Sequence, residues 1–324
     1  LIYTERMEIS AARTYMDQIT KKHNELSLRI KRLAREKNVI ILAHNYQPPE
    51  IQDLADITGD SLALSIEASK TNAAIILFCG VHFMAETAAI VCPDKKVLLP
   101  VMNAGCAMAD MLTADELKAF KARYPDSPVV TYVNSSAEVK AESYICCTSA
   151  NAVQVVRSLG TPEVIMTPDK NLAQWVQRHT DQKIHYWPGY CPIHNNLSAS
   201  AVKTARSKHP GAVLIAHPEC PPEVIDMADA VRSTTGMLEY AKESKEREFI
   251  IATEIGLLHT LKKQNPQKEF YPASPDSVCQ DMKKIHLEDM ITAIENEMHQ
   301  ITVPEEIRTK VLEAVRRMMD VPRD

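Results

Sequence analysis

Through residues 38–99, unbroken apolar runs alternate with stretches in which apolar positions recur every three or four residues. Asn38 to Ala43 reads as a buried strand, Pro49 to Ile57 as a short helix and Ser61 to Thr71 as a second helix. Ala74 to Cys79 then reads as a strand, His82 to Val91 as a helix, and Lys96 to Leu99 as a strand. Runs without polar alternation belong to strands covered on both faces, and helical patterns between them predict a parallel sheet in an α/β fold. In such sheets ligands bind beyond the carboxyl ends of the strands.

The pattern repeats along the chain. LAHNYQPPEIQDLAD matches IAHPECPPEVIDMAD, aligning His44 with His217, Pro48 with Pro221 and Asp56 with Asp229. Five residues further each copy reaches a hydroxyl, Ser61 in GDS and Thr234 in RST. A weaker middle copy, VVTYVNSSAEVKAE then YICCTSAN, places Tyr132 and Asn134 at a strand end and Ser149 at the later turn. A fixed period sets the architecture before any local feature does. The expectation is three similar three-layer α/β domains at 25–111, 112–197 and 198–324, the last with C-terminal helices. They form a pseudo-three-fold arrangement around a central active site, with a helical segment at 1–24 packing on the core.

At 324 residues and 45% hydrophobic, the chain can fill more than one core. The opening LIYTERMEIS has no signal-like apolar core, and no apolar run approaches the roughly 20 residues that span a bilayer, so the expected location is cytoplasmic, with no membrane partner. Eight cysteines in a reducing compartment point to buried thiols and ligands rather than disulfides. A net charge of −5 with scattered basic residues gives no footprint for nucleic acid. The basic tract KKHNELSLRIKRLAREK reads as an amphipathic helix packing Leu26, Leu28, Ile30 and Leu33, and 287–319 as terminal helices broken near Pro304.

Three cysteines carry the chemistry. Cys106, Cys191 and Cys279 lie 85 and 88 residues apart, one per repeat, each after an apolar stretch ending in proline. Cys79, Cys92 and Cys146 sit in apolar runs and read as core, and Cys147 and Cys220 lie at turns near the proposed centre, also read mainly as structural. No C-x-x-C pair is present, so the ligands would come from three domains rather than one local loop. Three thiolates suit a [4Fe–4S] cluster with one open iron, or a zinc ion with an open position. The residues alone do not separate these.

Ser61, Ser149, Ser233 and Thr234 stand where helices begin, where hydroxyls and backbone N–H groups either hold an anion or cap the helix. His44, Tyr46, His194, His217 and Glu219 supply proton donors and acceptors near the same strand ends.

At these residues the chain resembles the quinolinate synthase family. The resemblance is carried by AHNYQPPEIQDLAD, GDSLALS, GVHFMAETA, LLPVMNAGCAMAD, TYVNSSAEVKA with CTSANA, WPGYCPIH, AHPECP, RSTTGM and ATEIGLLHTLKK with SPDSVCQDMK. It covers nearly the whole length. It implies a [4Fe–4S] cluster on Cys106, Cys191 and Cys279, and condensation of iminoaspartate with dihydroxyacetone phosphate to quinolinate in NAD biosynthesis. Such an activity is that of a transferase-type condensing enzyme, with L-aspartate oxidase as functional partner. It also implies substrate contacts at His44, Ser61, Tyr132, Asn134, Ser149, His194 and Thr234. Tyr46, His217 and Glu219 are expected to move protons. Two departures stand out. SPDSVCQDMK holds Cys279 alone where some members cluster cysteines, and Arg232 replaces a glycine that many members carry before Ser-Thr. Diphthamide-forming enzymes and hydroxymethylbutenyl diphosphate reductase also resemble three-domain proteins with one cluster cysteine per domain, but neither accounts for HPEC, GDS and NYQ together. A non-catalytic iron–sulfur sensor would need a basic surface that the chain lacks.

Overall fold

The structure, a computed structural model, describes residues 21–322. The segment expected at 1–24 therefore lies, up to residue 20, outside the described residues. Three four-stranded sheets follow one another along the chain. The first holds β1 (Val39–His44), β2 (Ile57–Gly59), β3 (Ile75–Cys79) and β4 (Lys96–Leu98). The second holds β5 (Val129–Tyr132), β6 (Ile145–Cys147), β7 (Glu163–Thr167) and β8 (Lys183–Tyr186). The third holds β9 (Val213–Ala216), β10 (Ala230–Val231), β11 (Glu248–Ala252) and β12 (Glu269–Pro272). Every pairing is parallel, and each sheet repeats one order, second strand, first, third, fourth. The chain reverses direction across the sheet between the first and third strands of each domain, and the crevice at that switch point is where an α/β sheet offers a ligand site.

The helix expected over Pro49–Ile57 ends at Gln52, and Ile57 instead opens β2. Asp56 explains the difference. Its N–H donates to Ile41 O at 2.9 Å and its carboxylate accepts from Ile41 N at 2.8 Å, drawing the chain out of the helix and along β1. Asp229 fastens β9 in the same way, through Leu214 O (2.9 Å) and Leu214 N (2.8 Å). The middle domain has Tyr144 at this place, and only its main chain bonds, to Val129 O.

The basic tract forms a helix over 21–36. Ile30 and Leu33 bury against the first sheet, whereas Leu28 falls off their stripe and is exposed. One apolar cluster, including Leu42, Phe78, Ile215 and Phe249, runs continuously between the first and third domains. The chain's last helices leave the third domain. Leu287–Asn296 packs Met290, Ile291 and Ile294 on the first domain, and Glu305–Met319 packs Val311, Ala314, Val315 and Met318 on the second. Each large side chain buried this way contributes about 1.5–3 kcal/mol.

The seam between the first and second domains adds buried charge to apolar packing, with Ile90 and Met108 joining the second domain's cluster. Lys140 is fully buried, donates to Thr87 Oγ1 at 2.9 Å, and faces Glu86, which accepts the N–H of Ala137 at 3.1 Å. Burial lowers the Lys140 pKa, and Glu86 opposes that shift. Among the described residues no helix is long and apolar enough to cross a membrane.

Candidate active site

The carboxyl ends of all three sheets converge on one cavity of about 220 Å³. Its wall includes His44, Tyr46, Ser61, Cys106, Tyr132, Asn134, Ser149, Cys191, His194, Glu219, Thr234 and Cys279. Every residue singled out from the sequence as a ligand, contact or proton carrier is therefore on the wall except Ser233 and His217. That imidazole stands behind it, stacked on His194 with ring centroids 4.5 Å apart. Arg232 is also off this wall, in a separate outer groove where its guanidinium lies over Tyr240.

The strand-end histidines do the same local work in two domains. His44 Nδ1 accepts the N–H of Tyr46 at 3.1 Å, and His217 Nδ1 accepts that of Glu219 at 3.4 Å. Accepting at Nδ1 leaves the ring proton on Nε2. Burial keeps both rings neutral, lowering His44 to about 4 and His217 to about 3.

Beyond the histidines a hydrogen-bonded chain crosses all three domains. Thr234 Oγ1 lies 3.1 Å from the Tyr46 hydroxyl, which lies 2.7 Å from Thr253 Oγ1. Thr253 Oγ1 lies 2.8 Å from His194 Nε2, and His194 Nδ1 is 2.8 Å from Glu219 Oε2. Tyr132 closes the chain by donating to Glu219 Oε1 at 2.5 Å. One set of protons satisfies every link, with Glu219 anionic, His194 donating from Nδ1, and Thr253 donating to Nε2 while accepting from Tyr46. Burial acts to raise the Glu219 pKa, but His194, His217 and the bond from Tyr132 overcome it, and the carboxyl stays below its usual range. Burial drives both tyrosines well above theirs.

Ser61 and Thr234 are not caps. Asp60 caps Ser61–Lys70 by accepting from Ala63 N, and Ser233 caps Thr234–Glu243 by accepting from Gly236 N. The cap role expected as the alternative therefore falls to the preceding residue, leaving Ser61 and Thr234 at the first helical position, on the cavity wall. The helix after Ser149 starts only at Ala152.

Cys191 caps the short helical turn Pro192–Asn195, while Cys106 and Cys279 lie three and two residues ahead of the turns Ala109–Met111 and Asp281–Lys283. Burial pushes Cys106 to about 12, raises Cys191 further and raises Cys279, while main-chain N–H donors pull against it. Those donors are Ala109 and Met108 for Cys106, His194 for Cys191, and Met282 and Asp281 for Cys279. Burial thus keeps these thiols protonated, and the N–H groups that meet each sulfur would partner the negative charge it carries as a ligand of a cationic centre. The remaining five cysteines are buried in the cores, Cys147 and Cys220 included.

Thr253, Asp60 and Glu254 also reach the cavity or its proton chain without having been singled out from the sequence. Asp60 was visible in GDS, and Thr253 and Glu254 open the TEIGLL stretch after β11. Their strand-end position was the available signal.

Three sheets of one order, each giving a cysteine to a shared cavity, define a three-lobed α/β protein built around a single thiol-lined site. The sequence model described as Quinolinate synthetase A protein matches residues 28–320. A quinolinate synthase of Geotalea uraniireducens is 56% identical over 301 residues, covering 93% of this chain and 99% of its own. Those of Thermodesulfovibrio yellowstonii and Methanosarcina barkeri are 52% and 53% identical, covering 89% and 92% of this chain and 95% and 98% of theirs. The chain belongs to the quinolinate synthase family.

Proposed function

We propose that this cavity condenses iminoaspartate with dihydroxyacetone phosphate to give quinolinate, phosphate and water, for NAD biosynthesis. The observation that carries the reading is the relay from Thr234 to Tyr132, which threads all three domains beside one cysteine from each. The three thiols fit a [4Fe–4S] cluster with one iron free of protein, held by Cys106, Cys191 and Cys279. When bound, that cluster supplies a Lewis acid for a substrate oxygen. Cys191 Sγ, His194 Nδ1 and Glu219 Oε2 also lie within 4.8 Å of one another and can be drawn as a mononuclear site. The relay argues against that, because it uses the His194 Nδ1 proton to reach Glu219.

The chain's own residues hold the substrates and move protons. Ser61, Ser149 and Thr234, with the N–H groups of the helices that begin at Ser61 and Thr234, hold phosphate and carboxylate oxygens. Asn134 and the Nε2–H of His44 donate to carbonyl or carboxylate oxygens. Holding both small molecules in one enclosed space replaces a collision by a reaction within a complex, and shields an imine from hydrolysis. Carbon–carbon bond formation with loss of phosphate, tautomerisation, ring closure through nitrogen and loss of water each need a proton moved. Glu219 accepts protons as an anion, and Tyr46 donates along Thr253 and His194. His217 acts from behind, fixing Glu219 through its N–H and through the stack on His194. A protein with this activity works in the cytoplasm, taking its imine from an L-aspartate oxidase.

An anaerobic assay of reconstituted protein with dihydroxyacetone phosphate and freshly generated iminoaspartate tests this. Quinolinate is expected from the wild type, with about four irons bound per chain, and none from Cys191→Ser. Glu219→Gln is expected to keep its iron and lose turnover. Normal turnover in Glu219→Gln removes that residue from the mechanism, and zinc in place of iron and sulfide removes the cluster.

A further inference from the structure

Two buried acids occupy one place in two domains. β7 ends at Thr167 and β11 at Ala252, and the second residue beyond each is Asp169 and Glu254, 2% and 1% exposed. Each carboxylate forks. Asp169 accepts the N–H of Leu172 through Oδ1 at 2.7 Å and that of Cys191 through Oδ2 at 2.9 Å. Glu254 accepts the N–H of Gly256 through Oε2 at 2.6 Å and that of Cys279 through Oε1 at 3.1 Å. One oxygen thus holds the acid's own turn and the other holds the main chain of a cysteine from a distant loop.

Glycine makes room in both cases. A Cβ on Gly189 would sit 2.6 Å from Pro168 O, and one on Gly256 would sit 2.7 Å from Glu254 Oε2. The first domain lacks the device. β3 ends at Cys79, the second residue beyond is Val81, and the loop before Cys106 is tied without a carboxylate, His82 N donating to Ala104 O at 2.8 Å and Lys284 Nζ to Asn103 O at 2.6 Å.

From this geometry we infer that Asp169 and Glu254 are positioning residues that hold Cys191 and Cys279 toward the shared centre. The inference rests on the proposed cluster for the identity of the centre, and on the hydrogen bonds alone for the positioning. Metal ligands depend on such outer partners, and losing one costs about 10–100-fold in metal retention. The two corners also differ. Lys283 Nζ lies 2.9 Å from Glu254 Oε1 and offsets its charge, whereas Asp169 is met only by N–H groups.

The test uses Asp169→Asn and Glu254→Gln in the full chain, with Asp56→Asn as a control acid that bonds a strand and no cysteine loop. An amide keeps the shape but offers one acceptor oxygen, so one arm of the fork is lost. Release of iron from the anaerobically reconstituted protein to a chelator is expected to quicken about 10-fold in each test variant and not in the control. The reduction potential is expected to shift in both, because a loosened loop alters the hydrogen bonding around its cysteine sulfur. Alkylation followed by peptide mapping reads the same loosening without any metal. Cys191 should react faster in Asp169→Asn alone, and Cys279 in Glu254→Gln alone. If the wild type binds no iron, the cluster reading fails, and the alkylation pattern still decides the positioning. Unchanged iron release and potential, or alkylation that does not follow the paired cysteine, overturns the inference. Should Asp169→Asn not fold, Asp169→Ser keeps a cap oxygen for Leu172 and drops only the bond to Cys191.

Discussion

The first and third domains match at three places where the middle domain departs from both. At the strand end the outer domains use histidine, turned inward to accept an N–H two residues on, where the middle one has Tyr132 donating to Glu219. At the edge strand the outer domains have an aspartate locked to the central strand, where the middle one has Tyr144. The first and third share an apolar core, while the first and middle add the buried Lys140 and Glu86 to theirs. Three copies of one sheet can therefore share a frame while each gives the site a different group. The relay needs that difference, because a third accepting histidine in place of Tyr132 would leave Glu219 Oε1 without its donor.

The contrast between the seams gives the largest expected effect. Lys140→Ala strips the buried Glu86 of its counter-charge and should cost about 3–5 kcal/mol of stability in denaturant unfolding. Removing a single methylene from the apolar seam, by Ile215→Val, should cost about 0.5–1.5 kcal/mol. Equal losses would erase the distinction.

The strand-end contrast is read by pH. His44 faces Asp60, Lys283 and Glu219, and burial holds it to about 4 in the folded chain, against about 6.5 unfolded. Its lowered folded value means that stability is full above pH 6.5 and falls as acid protonates the unfolded chain first, by about 3 kcal/mol at pH 4. Unfolding measured from pH 8 to 4.5 should show this decline, and His44→Asn should flatten it. An unchanged slope would mean that the ring is not kept neutral by burial.

The edge-strand contrast is smaller. Asp56→Ala or Asp229→Ala leaves a central-strand N–H without its carboxylate and should cost about 1–3 kcal/mol. Tyr144→Ala loses only an exposed ring under Arg317 and should cost about 0.5–1 kcal/mol. A Tyr144 cost as large as that of the aspartates would place the middle domain back among its neighbours.

The repeat of His, Pro-Pro-Glu, Asp and hydroxyl at equal offsets was enough to read a threefold α/β chain, because period and apolar runs are local properties of the sequence. The same offsets brought Cys106, Cys191 and Cys279 to one cavity. What escaped was short or made by distant partners. Ile57–Gly59 is too brief to show a strand period, and it exists because Asp56 pairs with Ile41. Thr253 looks like any strand-end threonine until Tyr46 and His194 meet on its hydroxyl, and Asp169 like any helix cap until Cys191 arrives from 22 residues away. Such roles are written in the folded geometry, not in any window of the chain.

The last helices place a condition on synthesis. A ribosome completes the first sheet nearly two hundred residues before Leu287–Asn296, and the second long before Glu305–Met319. Until those segments emerge, each sheet presents the apolar patch they will cover, so neither can close as an independent unit during translation. Completion waits for these two helices, and a polypeptide cut short before them would lose both covers at once, leaving quality control a clear mark of an unfinished product.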